Sequence, residues 1–373
     1  MDKRNLEKQK RILRNKKRAK KRRLANLKFT LFLFVLLFGG YQIAKGVIFR
    51  NNAIHNTIDE NKLNQTVIEN ELEQDKQNSD NSIVDENIIN QNDDLRQNEI
   101  VIDENKIYDI DDGYDYTAHS MLAVDLSNDE IIFVKNPNDK VLPASIAKLF
   151  VIDFATNYLD LDDIVIPSYE AINSVKQDSS MAYIAIQEYS VENLYSAMLV
   201  PSGNDAAYVI AEETGRKINP NAESFDERLT AFFTEFNKYL QKNNYTRTSI
   251  YDPSGFDYEA TSSVIDIKRV TENLLKNDWF RSIIYQDSYS ATLPYGGIQT
   301  WKNTNLFLDY NNNFYKDRVK GVKTGTVGGT FNLDILYEAN GREYLIISLG
   351  STTDYYRYSD VEHLLQLIDN SIQ

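Results

Sequence analysis

The chain has 373 residues, 42% of them apolar, and a net charge of −14 from 41 Lys and Arg against 55 Asp and Glu. That is enough apolar material for one to three domains with a sizeable core. It contains no cysteine, which excludes disulfides, thiol nucleophiles and thiolate metal sites together.

The charge is segregated. Residues 1–28 hold 14 Lys and Arg against 2 Asp and Glu, a net of +12, so the total of −14 leaves −26 for the rest of the chain. The next 16 residues, Phe29–Ala44, are uncharged, and Lys45 can snorkel to an interface. Counted through Phe49 the apolar run has 21 residues, long enough as a helix to cross a hydrocarbon core of about 30 Å. A single transmembrane helix is therefore predicted over 29–50. The basic flank puts a cytoplasmic tail at 1–28 and the remainder outside the cell membrane. A cleaved signal peptide is the competing reading, but the basic region is long and no A-x-A site follows the apolar run. The run "KKRAKKRR" would also suit nucleic acid. A basic flank beside a membrane span already accounts for it, so no nucleic-acid partner is expected. An outward-facing domain without disulfides suits a bacterial surface.

Residues 51–112 contain 17 Asp and Glu, 4 Lys and Arg, and neither Gly nor Pro. They are too polar to build a core and read as a disordered, acidic, Asn-rich linker. From Gly113 to residue 373 the texture is that of one folded domain. "SMLAVDL" and "EIIFVKN", separated by "SND", predict a hairpin. A helix is predicted from Ser145 through "SIAKLFVIDFATNYL". "SVENLYSAMLV" and "NDAAYVIAEETG" predict two helices broken at "PSG", and "ESFDERLTAFFTEFNKYLQKN" a further amphipathic one. "RVKGVKTGT", "FNLDILYEA" and "EYLIISLGS" predict three strands, and "SDVEHLLQLIDNSI" a closing helix. Strands at both ends of the domain around a helical middle give an α+β class, with one sheet assembled from both termini.

Ser145 and Lys148 form the only S-x-x-K in the chain. At helical spacing i and i+3 share a face, so the lysine amine can reach the serine hydroxyl and act as its base. An unperturbed lysine is almost wholly protonated at pH 7, so the site has to lower its pKa by desolvation or by a nearby cation. Lys323, in Lys323-Thr324-Gly325, is a candidate for that cation. Backbone N–H groups at the start of the helix can receive an oxyanion. In Ser202-Gly203-Asn204 the hydroxyl can pass a proton to a leaving amine, and the amide can hold a peptide backbone. Each motif alone is usually an ordinary cap, turn or strand edge; the three in this order in one domain point to acyl transfer.

S-x-x-K with an S-x-N and a K-T-G is a signature of β-lactamases and penicillin-binding proteins. Over roughly 118–370 the chain resembles the serine D-alanyl-D-alanine carboxypeptidases, the low-molecular-mass penicillin-binding proteins. "LPASIAKL", "VENLYSAMLVPSGNDAAYVIAE", "YDPSGFD", "WKNTNLFL" and "GVKTGT" carry the likeness. The resemblance implies a β-lactamase/transpeptidase-like domain, an antiparallel sheet flanked by helices with a helical subdomain. It implies Ser145 as nucleophile, Lys148 as base, Ser202 and Asn204 in proton transfer and substrate positioning, and Lys323 and Thr324 on the substrate carboxylate. The N–H groups of Ser145 and Thr326 would form the oxyanion hole, and Gly325 would leave room for a peptide along the strand edge. The expected partners are peptidoglycan stem peptides ending in D-Ala-D-Ala, β-lactams as inhibitors, and the membrane through the N-terminal helix, with no cofactor.

The chain departs from the family pattern at Ala147 and Val327, where threonine is usual, and at "GGT" after the K-T-G strand. A transpeptidase or endopeptidase shares the same motifs, which do not fix the acyl acceptor. A β-lactamase would want an E-x-x-x-N arrangement that "AESFDERLTAFF" does not supply. A non-catalytic wall-binding module of the same fold remains the reading from outside enzymology. His55, His119 and His363 lack metal-ligand spacing, and the absence of G-x-S-x-G removes the usual Ser-His-Asp hydrolase signature.

Overall fold

In the computed structural model, residues 113–371 are described. The tail, the transmembrane helix and the linker expected over 1–112 lie outside them. Among the described residues no helix is long and apolar enough to cross a membrane.

The first hairpin forms as predicted, β1 (Ser120–Asp125) pairing antiparallel with β2 (Glu130–Lys135). A 3₁₀ turn at Ala144–Ile146 leads into helix α1 (Ala147–Ala155). Short strands β3 (Ile164–Val165) and β4 (Tyr189–Ser190) pair across helix α2 (Tyr169–Asn173). Then come α3 (Val191–Leu199), α4 (Asn204–Ile218), α5 (Phe225–Lys242), α6 (Val264–Leu275) and α7 (Asp278–Ile284). A second hairpin, β5 (Ser288–Thr292) with β6 (Ile298–Lys302), precedes β7 (Lys323–Val327), β8 (Thr330–Ala339), β9 (Arg342–Ser351) and α8 (Asp354–Ser371).

Local chemistry sets several of these boundaries. Ser190 and Ser224 cap α3 and α5 in capping boxes closed by Asn193 and Glu227, and Ser263 accepts from the Asp266 N–H to start α6. Gly328 and Gly329, at φ +57° and +80°, supply the two left-handed residues of a tight β7–β8 hairpin. That is the structural use of the "GGT" departure.

The main sheet has the order β2-β1-β9-β8-β7, with every neighbouring pair antiparallel. It is assembled from both ends of the domain, as predicted. Both faces are covered. Leu345, Ile347 and Leu349 of β9 face the helical middle with Phe150, Val270 and Leu274, whereas Tyr344 and Ile346 face α8 with Tyr358, Val361 and Leu365. Burial on both faces is why β1 reads as an unbroken apolar run rather than an alternating one. The consequence for the site is positional: β7 is an edge strand, and its outer edge faces the turn that carries Ser145.

Three elements differ from the sequence expectation. The α-helix begins at Ala147, so Ser145 sits in the preceding 3₁₀ turn. Only Lys323–Val327 of "RVKGVKTGT" is strand, although Lys320 and Val322 still donate to the carbonyls of Leu336 and Asp334. The final helix starts at Asp354, earlier than expected, which brings Arg357 into the domain interior.

Candidate active site

Lys148 is fully buried on the second residue of α1 and makes three contacts. Its Nζ lies 2.9 Å from Ser145 Oγ, 2.8 Å from Asn204 Oδ1 and 2.9 Å from the Ser254 carbonyl oxygen. Burial pulls the Lys148 pKa down to about 7, against the opposing charges of Asp252 and Asp205. Desolvation is the main cause, and the repulsion between Lys148 and Lys323, which the fold brings near each other, acts in the same direction.

Protonation then fixes the roles within the cluster. The Asn204 and Ser254 oxygens only accept, so the amine has to donate to both. A neutral amine has two N–H groups and one lone pair. Both N–H groups are consumed by these oxygens, and the lone pair is left facing the Ser145 hydroxyl. The geometry that satisfies the buried nitrogen is also the geometry of a general base beside its nucleophile.

The serine is held by strain and close packing. Ala144 has φ +51° and Ser202 φ +62°, left-handed backbone that costs a non-glycine residue about 1–2 kcal/mol. Such residues gather where the surroundings over-determine them. Gly255, at φ +76°, packs on the Ala144 carbonyl so closely that any Cβ there would overlap it. From the other side a Cβ on Gly325 would come within 2.7 Å of the Pro143 oxygen and 3.2 Å of the Ala144 Cβ. Ser145 is thus clamped between the 252–257 turn and β7.

Asn204 opens α4, and the next residue anchors it. Asp205 Oδ1 accepts from Ala182 N at 2.9 Å and Oδ2 from Ile184 N at 2.8 Å, while Asn204 N donates to Ser180 O at 2.9 Å. Ser202 is buried in the same turn; among the described residues its hydroxyl has no hydrogen bond to Ser145 or Lys148. On β7, Lys323 Nζ donates to Thr324 O at 3.0 Å, and the Thr324 and Thr304 hydroxyls lie 2.6 Å apart. Burial, then the Lys148 and Arg357 charges, hold the Lys323 pKa well below its ordinary value. A substrate carboxylate would supply the missing counter-charge. Thr326 is exposed on the same strand.

Sequence reasoning missed four participants. Ser254 supplies a carbonyl, and Asp252 shapes its turn by accepting from the Ser254 N–H at 2.8 Å and the Asp257 N–H at 2.6 Å. The signal was present in "DPSG", a turn sequence with an Asx acceptor. Asp205 follows the S-x-N motif directly. Arg357, buried on α8, donates to Gly325 O at 3.2 Å and Thr326 Oγ1 at 2.9 Å, and pairs with Asp354 at 2.5 Å. Nothing local marked it, because its partners lie on another element. Among the described residues no group of His, Cys, Asp or Glu has the arrangement of a metal site.

Comparison with known proteins gives the same picture. The chain is 23% identical over 261 residues to the D-alanyl-D-alanine carboxypeptidase DacF of Bacillus subtilis, covering 67% of this chain and 61% of that one. It therefore spans about three-fifths of that relative's length. Among solved structures, the DD-transpeptidase of Streptomyces K15 superposes with a TM-score of 0.60 at 23% identity, covering 68% of this chain and 97% of the other. Penicillin-binding protein D2 of Listeria monocytogenes, solved with ampicillin bound, gives a TM-score of 0.53 at 22% identity, covering 67% and 96%. These two likenesses establish the transpeptidase-like fold. The family model described as D-alanyl-D-alanine carboxypeptidase matches residues 108–333, more than half of the sequence, and the chain belongs to that family.

Proposed function

We propose that this protein is a membrane-anchored serine D-Ala-D-Ala carboxypeptidase that trims the terminal D-alanine from peptidoglycan stem peptides, and that penicillins acylate the same serine. The observation that carries the reading is the buried Lys148 nitrogen 2.9 Å from Ser145 Oγ, with the Asn204 and Ser254 oxygens accepting from it at 2.8 and 2.9 Å. The names of the relatives and the ampicillin in the Listeria neighbour support it.

In this mechanism Ser145 Oγ attacks the carbonyl carbon of the penultimate D-alanine while Lys148 Nζ takes its proton. The oxyanion is received by the backbone N–H groups of Ser145 and Thr326. Lys323, Thr324 and Arg357 hold the terminal carboxylate, and Asn204 steadies the peptide backbone. The C–N bond breaks as the Ser202 hydroxyl passes a proton to the departing amine of D-alanine, and the proton is made good from Lys148. Water then attacks the ester, with Lys148 again as base, and releases the shortened peptide. The chemistry calls for no cofactor.

The helix over 29–50 would anchor the protein, with 1–28 in the cytoplasm and the 51–112 linker holding the domain at a distance from the bacterial membrane. Cell fractionation with external protease tests this arrangement; a soluble protein, or a protected catalytic domain, would refute it.

The activity is tested with the full-length protein in detergent. Parent and Ser145→Ala are treated with a fluorescent penicillin and assayed for D-alanine release from a pentapeptide ending in D-Ala-D-Ala. Labelling lost in the variant, with release by the parent, is expected. Serine-dependent labelling without release would indicate a cross-link substrate, and an unlabelled folded parent a wall-binding module.

A further inference from the structure

Asn204 accepts from the Lys148 amine only if the start of α4 stays in place, and that start is bound by a stretch of irregular chain. Ser180 O accepts from Asn204 N, and the Ala182 and Ile184 N–H groups donate to the Asp205 carboxylate. Residues 180–184 lie in no helix or strand. They press on the S-x-N turn so closely that a Cβ on Gly203 would come within 2.6 Å of the Ala182 Cβ. Tyr183, in their middle, has φ +57° and is 79% exposed. A bulky residue takes such backbone only where its surroundings impose it.

The imposing groups come from β6. Gln299 and Trp301 are two residues apart and project from one face of that strand. Trp301 Nε1 donates to Ala182 O at 2.8 Å, and Gln299 Nε2 donates to Ala182 O at 3.0 Å and Tyr183 O at 3.3 Å. The Tyr189 hydroxyl accepts from Gln187 Nε2 and Ala185 N and gives its own proton to Gln299 Oε1 at 3.1 Å. That bond turns the amide so that its N–H groups face the loop. Just past β6, Thr304 N donates to Val200 O at 3.2 Å, and its hydroxyl meets that of Thr324 on β7. Residues 299–304 therefore brace the chain around the S-x-N turn and β7 together. They overlap the "WKNTNLFL" stretch, to which the proposed mechanism gives no part.

We propose that Gln299 and Trp301 are positioning residues for the acylation of Ser145: by holding the Ala182 carbonyl they keep residues 180–184, and through them Asn204, where Asn204 Oδ1 accepts from Lys148. The path runs through the main chain. Ala182 is tied to β6 by its carbonyl, to Asp205 by its N–H and to Gly203 by its Cβ, and Gly203 and Asp205 flank Asn204. Loss of the β6 donors frees the loop, and the start of α4 moves with it. The inference rests on the reading that Ser145 is acylated, and extends the machinery to a hairpin whose side chains grip the loop rather than the lysine.

The test follows the rate of labelling by a fluorescent penicillin across pH, with the full-length protein in detergent. Gln299→Leu and Trp301→Phe are made singly and together, in the parent and in Asn204→Ala, and thermal melts identify the variants that are folded at the assay temperature. Gln299 is half-buried, so Gln299→Leu keeps the test available if Trp301→Phe unfolds. In the parent background the hairpin substitutions should slow acylation about tenfold, the scale of a hydrogen bond lost from a buried carbonyl. They should also move the rise with pH lower, as Asn204→Ala does, because an amine without that acceptor holds its proton less tightly. In the Asn204→Ala background the same substitutions should slow acylation by no more than about twofold further, since the residue they act through is already gone. A tenfold loss repeated undiminished without Asn204, a slowed rate with an unmoved pH profile, or the parent rate in the folded hairpin variants would each overturn the proposal. A folded parent that takes no label overturns the acyl-enzyme reading itself, and this inference with it.

Discussion

Lys148 Nζ donates 2.8 Å to Asn204 Oδ1, and that bond helps decide which way the lysine lone pair points. In the proposed mechanism, the charge near this nitrogen sets the pH at which Ser145 becomes a nucleophile. With the Lys148 pKa at about 7, penicillin acylation is expected to rise through neutral pH to a plateau, because the deprotonated form is the active one. Asn204→Asp puts an anion against the amine and should move that rise about 1–3 pH units higher. Asp252→Asn removes an opposing anion and should move it lower. Acylation rates measured against pH check both, and shifts in the same direction would contradict the electrostatic account.

Asp334 supplies a pH-dependent stability term away from the chemistry. It is buried on β8, accepts from Thr271 Oγ1 at 2.6 Å, and its Oδ1 has no partner. Burial raises its pKa from 3.8 to about 7. Between those values the folded state keeps a proton that the unfolded state has lost. Its contribution is therefore full below about pH 4 and is lost as pH rises through about 7. Asp334→Asn is neutral throughout. It should unfold near the parent temperature at pH 4 and a few degrees above it at pH 8.5, by roughly 2–4 °C per kcal/mol. Thermal melts across pH check this.

Gly255→Ala should disable the site through the backbone. The position has φ +76°, and a Cβ would overlap the Ala144 carbonyl. Left-handed strain and overpacking together cost about 2–5 kcal/mol, a fall of roughly 5–15 °C in Tm. Any folded fraction should label slowly with penicillin, since relief of the overlap moves the Ser145 turn.

Arg357→Gln tests the guanidinium held against Gly325 and Thr326 of β7. Hydrogen bonds to charged groups contribute roughly 1.5–3 kcal/mol, so kcat/KM for a D-Ala-D-Ala peptide should fall about 10–100-fold. The same peptide as a C-terminal amide should be nearly insensitive to the substitution. An equal loss on acid and amide would assign Arg357 to holding Gly325 and Thr326 rather than to reading the carboxylate.

Much of the domain was legible because its signals are local. The β1–β2 hairpin, the helices capped at Ser190 and Ser224, and the β8–β9 pair declare themselves through short apolar runs, capping residues and turn residues. Helix α6 and the β5–β6 hairpin escaped. Helix α6 does carry an apolar stripe at helical spacing, Val264, Ile267, Val270 and Leu274, all in the core, so its signal was present in the sequence and was missed. The β5–β6 hairpin leaves most of its side chains exposed or half-buried around a Pro-Tyr-Gly-Gly loop, so its two strands make a weak pattern.

By itself the sequence determined the Ser145–Lys148 pairing, since a spacing of three residues in a helical turn brings side chains together whatever the rest of the chain does. It also supplied the order of the three motifs and the absence of any thiol. Only the tertiary structure decided what the lysine does. Its other partners, Asn204 and Ser254, are 56 and 106 residues away, and its pKa is lowered by burial, a property of the assembled core. Arg357 belongs to the same category: its neighbours Gly325 and Thr326 on β7 are remote in sequence and are brought near only when α8 packs on the sheet.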